Sequence, residues 1–338
     1  VTGRLNAVFF ITSVLLVMLT CYKTLFFDIT TITTSTSDVP IVFQNTATQD
    51  GDDGDSSQYQ LAYDQSFGFF TDISNENWKQ MQQIHVRVFP NYWDRMTVGS
   101  NGPQDKGNIP KLKLSKDWNG ENFQEEFHCP MAQRVPPTSQ ADGPKWVCDP
   151  HRLRNPQKKD CLVYSVGSNG KAEFEQGLRD IVGDNCEIHT FDLIKKNRRN
   201  GDFAVALNGS STFHHWGLGT ANEGLTKTLE QTMQDLGHHG RTIDIFKIDC
   251  EWCEWFTFRD WLQQDIRQIL VETHNAPMPN AKEFFFELHD AGFVIFSKEA
   301  NYINGAGGVE FAFLKLSTDF FINGTMYQKN KNIGDTTN

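Results

Sequence analysis

From Cys161 onward the apolar residues of the chain alternate between two spacings. Cys161 to Val166 (CLVYSV) is a short unbroken apolar run, the signature of a strand covered on both faces, and Gly167-Ser168-Asn169-Gly170 ends it. Phe174, Leu178, Ile181 and Val182 then recur at helical spacing up to Gly183. Cys186 to Phe191 (CEIHTF) alternates like a strand and stops at Asp192. Less regular sequence follows, in which Phe203 to Leu207 and His214 to Leu218 read as short strands. Leu225, Leu229, Met233 and Leu236 predict a second helix closed by Gly237, and Ile243 to Ile248 (IDIFKI) predicts a strand ending at Asp249. Phe256 to Gln264 reads as helical, and Gln268 to Val271 as a strand running into Glu272 and His274. A third helical face of Ala281, Phe284, Phe285, Leu288 and Ala291 stops at Gly292, and Phe293 to Ser297 and Val309 to Leu316 are the last strands.

Strands alternating with helices specify an α/β fold with a mostly parallel sheet and helices on both faces. Ligands of such sheets bind outside the carboxyl ends of the strands. The polar residues at those ends are Gly167 to Gly170, Asp192, Asp249, Glu251, Glu272 and His274, which makes them the candidate site.

The N-terminal part follows different rules. Leu5 to Tyr22 carries no charge, Leu25 to Phe27 extend its apolar face past Lys23, and the run suits a membrane span of about 17–25 residues. A cleaved signal peptide, with a shorter apolar core of about 7–15 residues and a small-residue cleavage site, is the main rival, and a buried core helix the other. The chain opens on Val1, so residues are expected before it. Thr30 to Ser37 (TTITTSTS) resembles a glycosylated stalk, and Gln49 to Gln60 has the composition of a linker. The expected organisation is an anchor over 1–27, a stalk over 28–60, an extension packed on the core over 61–154, the α/β domain over 155–325 and a tail over 326–338. Within the extension, Ser74 is placed to cap a helix carrying Trp78, Met81, Gln82 and His85 on one face.

Composition narrows the function. Apolar residues are 38% of the chain, with 27 Phe, enough for a sizeable core. The formal net charge is −11. A protein that draws its affinity from phosphates should be basic, so no nucleic-acid partner is expected. Sequons at Asn208-Gly209-Ser210 and Asn323-Gly324-Thr325, and six cysteines after the span, suit a secretory lumen, in the Golgi or endoplasmic reticulum. Cys129, Cys148, Cys161, Cys186, Cys250 and Cys253 permit about 15 pairings, with six buried thiols as the alternative.

At the first strand end, a glycine turn lets a ligand approach the backbone and frees N–H groups at a helix start. Asp192, at the second strand end, can accept hydrogen bonds from ribose hydroxyls; it lies 25 residues after Gly167, near the spacing of dinucleotide folds. GxGxxG and P-loop patterns are both absent. The pattern therefore points to an adenosine-containing cofactor of another kind.

From Trp146 to Leu316 the chain resembles the class I S-adenosylmethionine-dependent methyltransferases, in particular the methyltransferase-like, FkbM-related family and its membrane-anchored members. KWVCDP, CLVYSVGSNG, CEIHTFD, IDIFKIDCEWCEW, QILVETHN and FVIFSKEAN carry the resemblance in that order, and SFGFFTDISNENWKQMQ is similar to a leader of algal and protist members. The resemblance implies a seven-stranded Rossmann-like sheet with its last strand antiparallel, and S-adenosyl-L-methionine as cofactor. It places Gly167, Ser168, Asn169 and Gly170 around the methionine part and Asp192 at the ribose. Two departures stand out. Ser165 replaces a common acidic residue, so a contact to the cofactor's amino group is missing. In KIDCEWCEW, Trp252 and Cys253 replace the Gly and small residue of the family's KIDxEGxE.

Methyl transfer needs an aligned acceptor, and a base when the acceptor is a hydroxyl. Asp249, Glu251 and His274 are the candidate catalytic residues, with His274 expected to be neutral at pH 7 and so able to act as the base. Trp252 and Glu272 are the candidate acceptor-binding residues, with Trp255 widening the aromatic surface. Glu251 or Glu254 alternatively caps the next helix. No metal centre is assigned: the carboxylates paired near His274 offer a divalent metal only as the lesser alternative, and Cys250-x-x-Cys253 has neither a thioredoxin-like context nor two further ligands. His214-His215 and His238-His239 read as surface or loop residues. The function these features favour is luminal O-methylation of a glycan, protein or lipid. A catalytically silent binding module is one alternative, in which Trp252 plugs the site. A Golgi glycosyltransferase is the other, although Asp249-Cys250-Glu251 falls short of its DxD motif.

Overall fold

A computed structural model describes residues 56–88, 123–137, 143–154, 160–196, 201–274, 280–301 and 308–322. The expected anchor, most of the stalk, the Asn323 sequon and the tail lie outside these residues. Among the described residues no helix is long and apolar enough to cross a membrane.

Two helices come first, α1 (Gln60–Gln65) and α2 (Asn75–Val88), then a two-stranded antiparallel ribbon of β1 (Gln133–Val135) and β2 (Lys145–Val147). The sheet begins with β3 (Cys161–Val166), α3 (Glu173–Val182) and β4 (Cys186–Phe191). It continues through α4 (Phe203–Ala206) and β5 (Thr212–His214); β6 (Gly217–Leu218) and β7 (Thr226–Lys227) form a small separate pair. Next come α5 (Leu229–Asp235), β8 (Ile243–Ile248), α6 (Glu254–Trp261), β9 (Ile266–Thr273), α7 (Asn280–Asp290), β10 (Phe293–Asn301) and β11 (Gly308–Lys315). The order across the seven-stranded sheet is β10-β11-β9-β8-β3-β4-β5, and only β11 runs against its neighbours. This is the topology expected, including the antiparallel last strand.

The central strands are apolar throughout because both of their faces are covered. Val163, Ile245 and Leu270 point into one core with Phe174, Leu178 and Val182 of α3. Leu162, Phe246 and Ile269 point into the other with Leu229 and Met233 of α5, Trp255, Phe258 and Trp261 of α6 and Phe284 of α7. The extension packs on the first core. Ser74 Oγ accepts the Asn77 N–H at 3.3 Å, and α2 buries Trp78, Gln82 and His85. The Trp78 indole donates to Gln65 Oε1 at 2.7 Å and its ring meets Phe70, Phe127 and Phe320.

Some elements differ from the sequence expectation. Phe203 to Leu207 is helical, because Asp202 caps it by accepting the Ala204 N–H at 3.0 Å. Leu225 is half-exposed and precedes α5, which Thr228 starts by accepting the Gln231 N–H. His214 ends β5 and Leu218 belongs to β6, so the expected 214–218 strand is split. All six cysteines after the apolar run are paired, as Cys129–Cys148, Cys161–Cys186 and Cys250–Cys253. The second pair joins register partners at the start of β3 and β4.

Candidate active site

A cavity of about 630 Å³ opens at the carboxyl ends of β3, β4, β8 and β9, lined by the glycine turn, Asp192, Asp249, Glu272 and His274. The turn is built by the strands around it. Gly167 donates its N–H to the Phe191 carbonyl at 2.8 Å, and Asp249 donates to the Val166 carbonyl at 2.9 Å. Gly167 has a φ of +73°, and a Cβ there would sit 1.7 Å from the Asp249 carbonyl oxygen. Its lack of a side chain is thus first a packing requirement of the sheet. Gly170 and Asn169 also take positive φ, of 67° and 49°.

Asp192 is buried and already engaged. Its Oδ2 accepts the Ser168 and Asn169 N–H groups at 2.7 and 2.8 Å, and its Oδ1 accepts the Ile194 N–H at 2.7 Å. A carboxylate has about four acceptor sites, so one remains for a ligand hydroxyl. A carboxylate from α3 stands beside Ser165. Glu175, fully buried, takes the Ser165 and Ser168 hydroxyls on Oε1 at 2.5 and 3.2 Å. Its Oε2 has no hydrogen-bond partner among the described residues, and the residue lines the cavity.

The opposite wall is a charge cluster. Lys145 of β2 reaches Glu310 Oε1 at 2.6 Å, Asp249 Oδ2 at 3.3 Å and Glu272 Oε2 at 3.8 Å. Burial disfavours its charge, yet the three carboxylates hold its pKa above the ordinary lysine value. Lys247, which donates to the Gly167 carbonyl, stands 3.9 Å from Asp249 Oδ2. Burial would raise the Asp249 pKa, but the two lysines and His274 bring it down to about 2. Glu272 moves the other way, raised by burial and by the Asp249 charge. Its Oε1 accepts from Asn301 Nδ2 at 2.9 Å.

His274 does not fit the neutral base expected from the sequence. Glu254, buried at the start of α6, faces its Nδ1 at 3.0 Å and accepts its backbone N–H at 2.8 Å. Burial lowers the His274 pKa, but Glu254, Glu272 and Asp249 outweigh it and raise the value to about 9. The ring is an imidazolium at neutral pH, with Nε2 between Glu251 Oε2 at 3.6 Å, Glu272 Oε1 at 3.8 Å and Asp249 Oδ1 at 4.0 Å.

The rim is aromatic and apolar. Trp252 is 42% exposed, near the exposed Leu193 and Ile194, and all three line the cavity. The Cys250–Cys253 disulfide brackets Glu251 and Trp252, whose φ values are 52° and 88°. Trp255 does not widen this surface: it is buried and donates its indole N–H to the His274 carbonyl at 2.8 Å. No side chain caps α6, so neither Glu251 nor Glu254 has that role.

The structure thus brings Gly167, Ser168, Asn169, Asp192, Asp249, Glu251, Trp252, Glu272 and His274 to one cavity, whereas Gly170 is buried behind the turn and does not line it. Sequence reasoning missed Lys145, Glu175, Lys247, Glu310 and Asn301. Lys247 and Glu310 sit inside apolar strands, where a charge needs a partner; that was the available signal. Lys145 had only its place at the head of KWVCDP, and Glu175 had none.

A family model described as a methyltransferase domain matches residues 60–315. No curated protein matches the chain. Among solved structures the chain is similar to the fibrillarin pre-rRNA processing protein of Methanococcus jannaschii, at 14% identity over 47% of this chain and 68% of that one, with a TM-score of 0.31. It is also similar to Aeropyrum pernix fibrillarin with natively bound S-adenosyl-L-methionine, at 12% identity over 54% and 88%, with a TM-score of 0.32. A third likeness is to M. capricolum TrmK with S-adenosyl-homocysteine, at 12% identity over 49% and 67%, with a TM-score of 0.30.

Proposed function

Because the chain belongs to the methyltransferase-domain family that its residues 60–315 match, we propose that it transfers the methyl group of S-adenosyl-L-methionine to an oxygen acceptor in the secretory lumen. KIDCEWCEW supports a likeness to the FkbM-related, membrane-anchored members of the family. The observation that carries the reading is a cavity with two chemically different walls. One is a glycine turn with Asp192 and the half-satisfied Glu175. The other is a set of carboxylates and an imidazolium at the ends of β8 and β9.

When bound, the cofactor supplies an electrophilic methyl on a sulfonium. Glu175 Oε2 would receive the ammonium of its methionine part, in place of the acid absent at Ser165. Asp192 takes a ribose hydroxyl with its remaining acceptor site. Glu272, its pKa raised by burial and by Asp249, would accept the proton that the acceptor hydroxyl gives up on methylation. Asp249 stays ionised and keeps the Glu272 pKa up, while Asn301 and the His274 imidazolium hold the Glu272 carboxylate in place. Trp252, Leu193 and Ile194 give the acceptor an aromatic and apolar surface, suited to a sugar or ring face.

Isothermal titration with S-adenosylhomocysteine and with nucleotide sugars tests the reading. The former should bind and the latter should not; the reverse would favour a glycosyltransferase. Glu175→Gln should weaken S-adenosylhomocysteine roughly ten- to hundredfold, the effect of one charge-assisted hydrogen bond of about 1.5–3 kcal/mol. The lumen is supported by the three disulfides and by the exposed Asn208 of the first sequon. Protease treatment of sealed microsomes should spare the domain; digestion from the cytosolic side would overturn that topology.

A further inference from the structure

On the far side of β4 from the glycine turn, three donor atoms converge. His189 Nε2 and His238 Nε2 both point at Glu187 Oε1, at 3.0 and 3.2 Å. The three atoms all lie within 4.8 Å of one another, and none of these residues lines the active-site cavity. The two histidines are buried, whereas the Glu187 side chain is 46% exposed and leaves one side open to solvent. His238, expected from the sequence to be a surface or loop residue, is thus part of a buried network.

We propose that Glu187, His189 and His238 form a zinc site with an open fourth position. Donors about 2.0–2.2 Å from a tetrahedral zinc stand about 3.3 Å from each other, close to the two separations to Glu187 Oε1. The outer partners suit the same ion. His189 Nδ1 lies 2.8 Å from His214 Nε2, and His238 Nδ1 lies 2.7 Å from the Tyr164 hydroxyl. Each ring therefore has a partner on the nitrogen facing away from the metal, which fixes its tautomer and leaves Nε2 to ligate. Arg241 donates to Glu187 Oε2 at 2.7 Å and so aims Oε1 at the site. An ion here would tie the start of β4 to the turn between α5 and β8, beneath the strand that ends at Asp192.

The test is a titration of the chelator-stripped full chain with zinc alone, followed by calorimetry and by melting temperature. One zinc should bind per chain and raise the melting temperature, and cobalt in its place should give the visible bands of a tetrahedral site. Glu187→Gln, a change at a half-exposed residue, should abolish the zinc-dependent shift. Tyr164→Phe should weaken zinc roughly ten- to hundredfold by loosening His238. His274→Gln, in the active site, should bind zinc as the parent does. No zinc on the parent chain overturns the proposal. So does zinc that survives Glu187→Gln but is lost in His274→Gln, which would put the ion among Asp249, Glu272 and His274.

Discussion

Glu272 and Glu310 stand directly opposite each other across the antiparallel ladder of β9 and β11. Like charges in that relation repel, and both residues are buried. Lys145, from the ribbon outside the sheet, reaches both and Asp249 as well. Lys145→Met should therefore cost about 3–5 kcal/mol, the usual result of removing one partner from a buried ion group. Denaturant unfolding measures it, and adding Glu310→Gln should recover part of the loss. A Lys145→Met chain as stable as the parent would show that the lysine does not neutralise the pair.

The same lysine marks the limit of what the sequence reveals. β3, β4 and β8 are predicted to the residue, because each is a short apolar or alternating run stopped by a glycine turn or an acidic residue. The strand-end residues follow, since topology puts the carboxyl ends of the parallel strands on one edge. What stays hidden is whatever arrives from elsewhere. Lys145 lies in irregular sequence, and Glu175 looks like a solvent-facing helix residue until α3 turns it beneath Ser165. The role of His274 depends on Glu254, 20 positions away across the α6–β9 connection, and no spacing rule links them.

His274 makes stability depend on pH in a defined window. Its folded pKa of about 9 lies above the ordinary 6.5. A raised value means that protonation favours the fold. The contribution is complete below pH 6.5 and is lost as pH rises through about 9. Urea unfolding of the parent chain should show this decline, and His274→Gln should flatten it between those limits. An unchanged slope in the variant would assign the decline to another group.

Asp192 binds backbone on both sides of the cavity floor, so its substitution has two effects. Asp192→Asn presents an amide group to N–H donors that need acceptors, and should cost about 1–3 kcal/mol of stability. It should also weaken S-adenosylhomocysteine roughly tenfold or more, through a displaced glycine turn and a lost ribose contact. Denaturation and isothermal titration read the two separately. Lost stability with unchanged affinity would leave Asp192 holding the turn alone.

Glu251 and Trp252 hold consecutive backbone conformations that favour glycine, with φ of 52° and 88°. Each costs a side-chain-bearing residue about 1–3 kcal/mol, and the resembled motif has glycine at the second position. Trp252→Gly should therefore raise stability by roughly 1 kcal/mol, although it deletes a large side chain, because that side chain is 42% exposed and packs little. Trp252→Phe keeps the strain and should not stabilise. If the tryptophan serves the acceptor, the glycine variant should bind S-adenosylhomocysteine as the parent does. Its methyl transfer to the acceptor should fall through loss of the aromatic platform. Tighter cofactor-product binding in Trp252→Gly would show that the ring obstructs the site, and would count against an active enzyme.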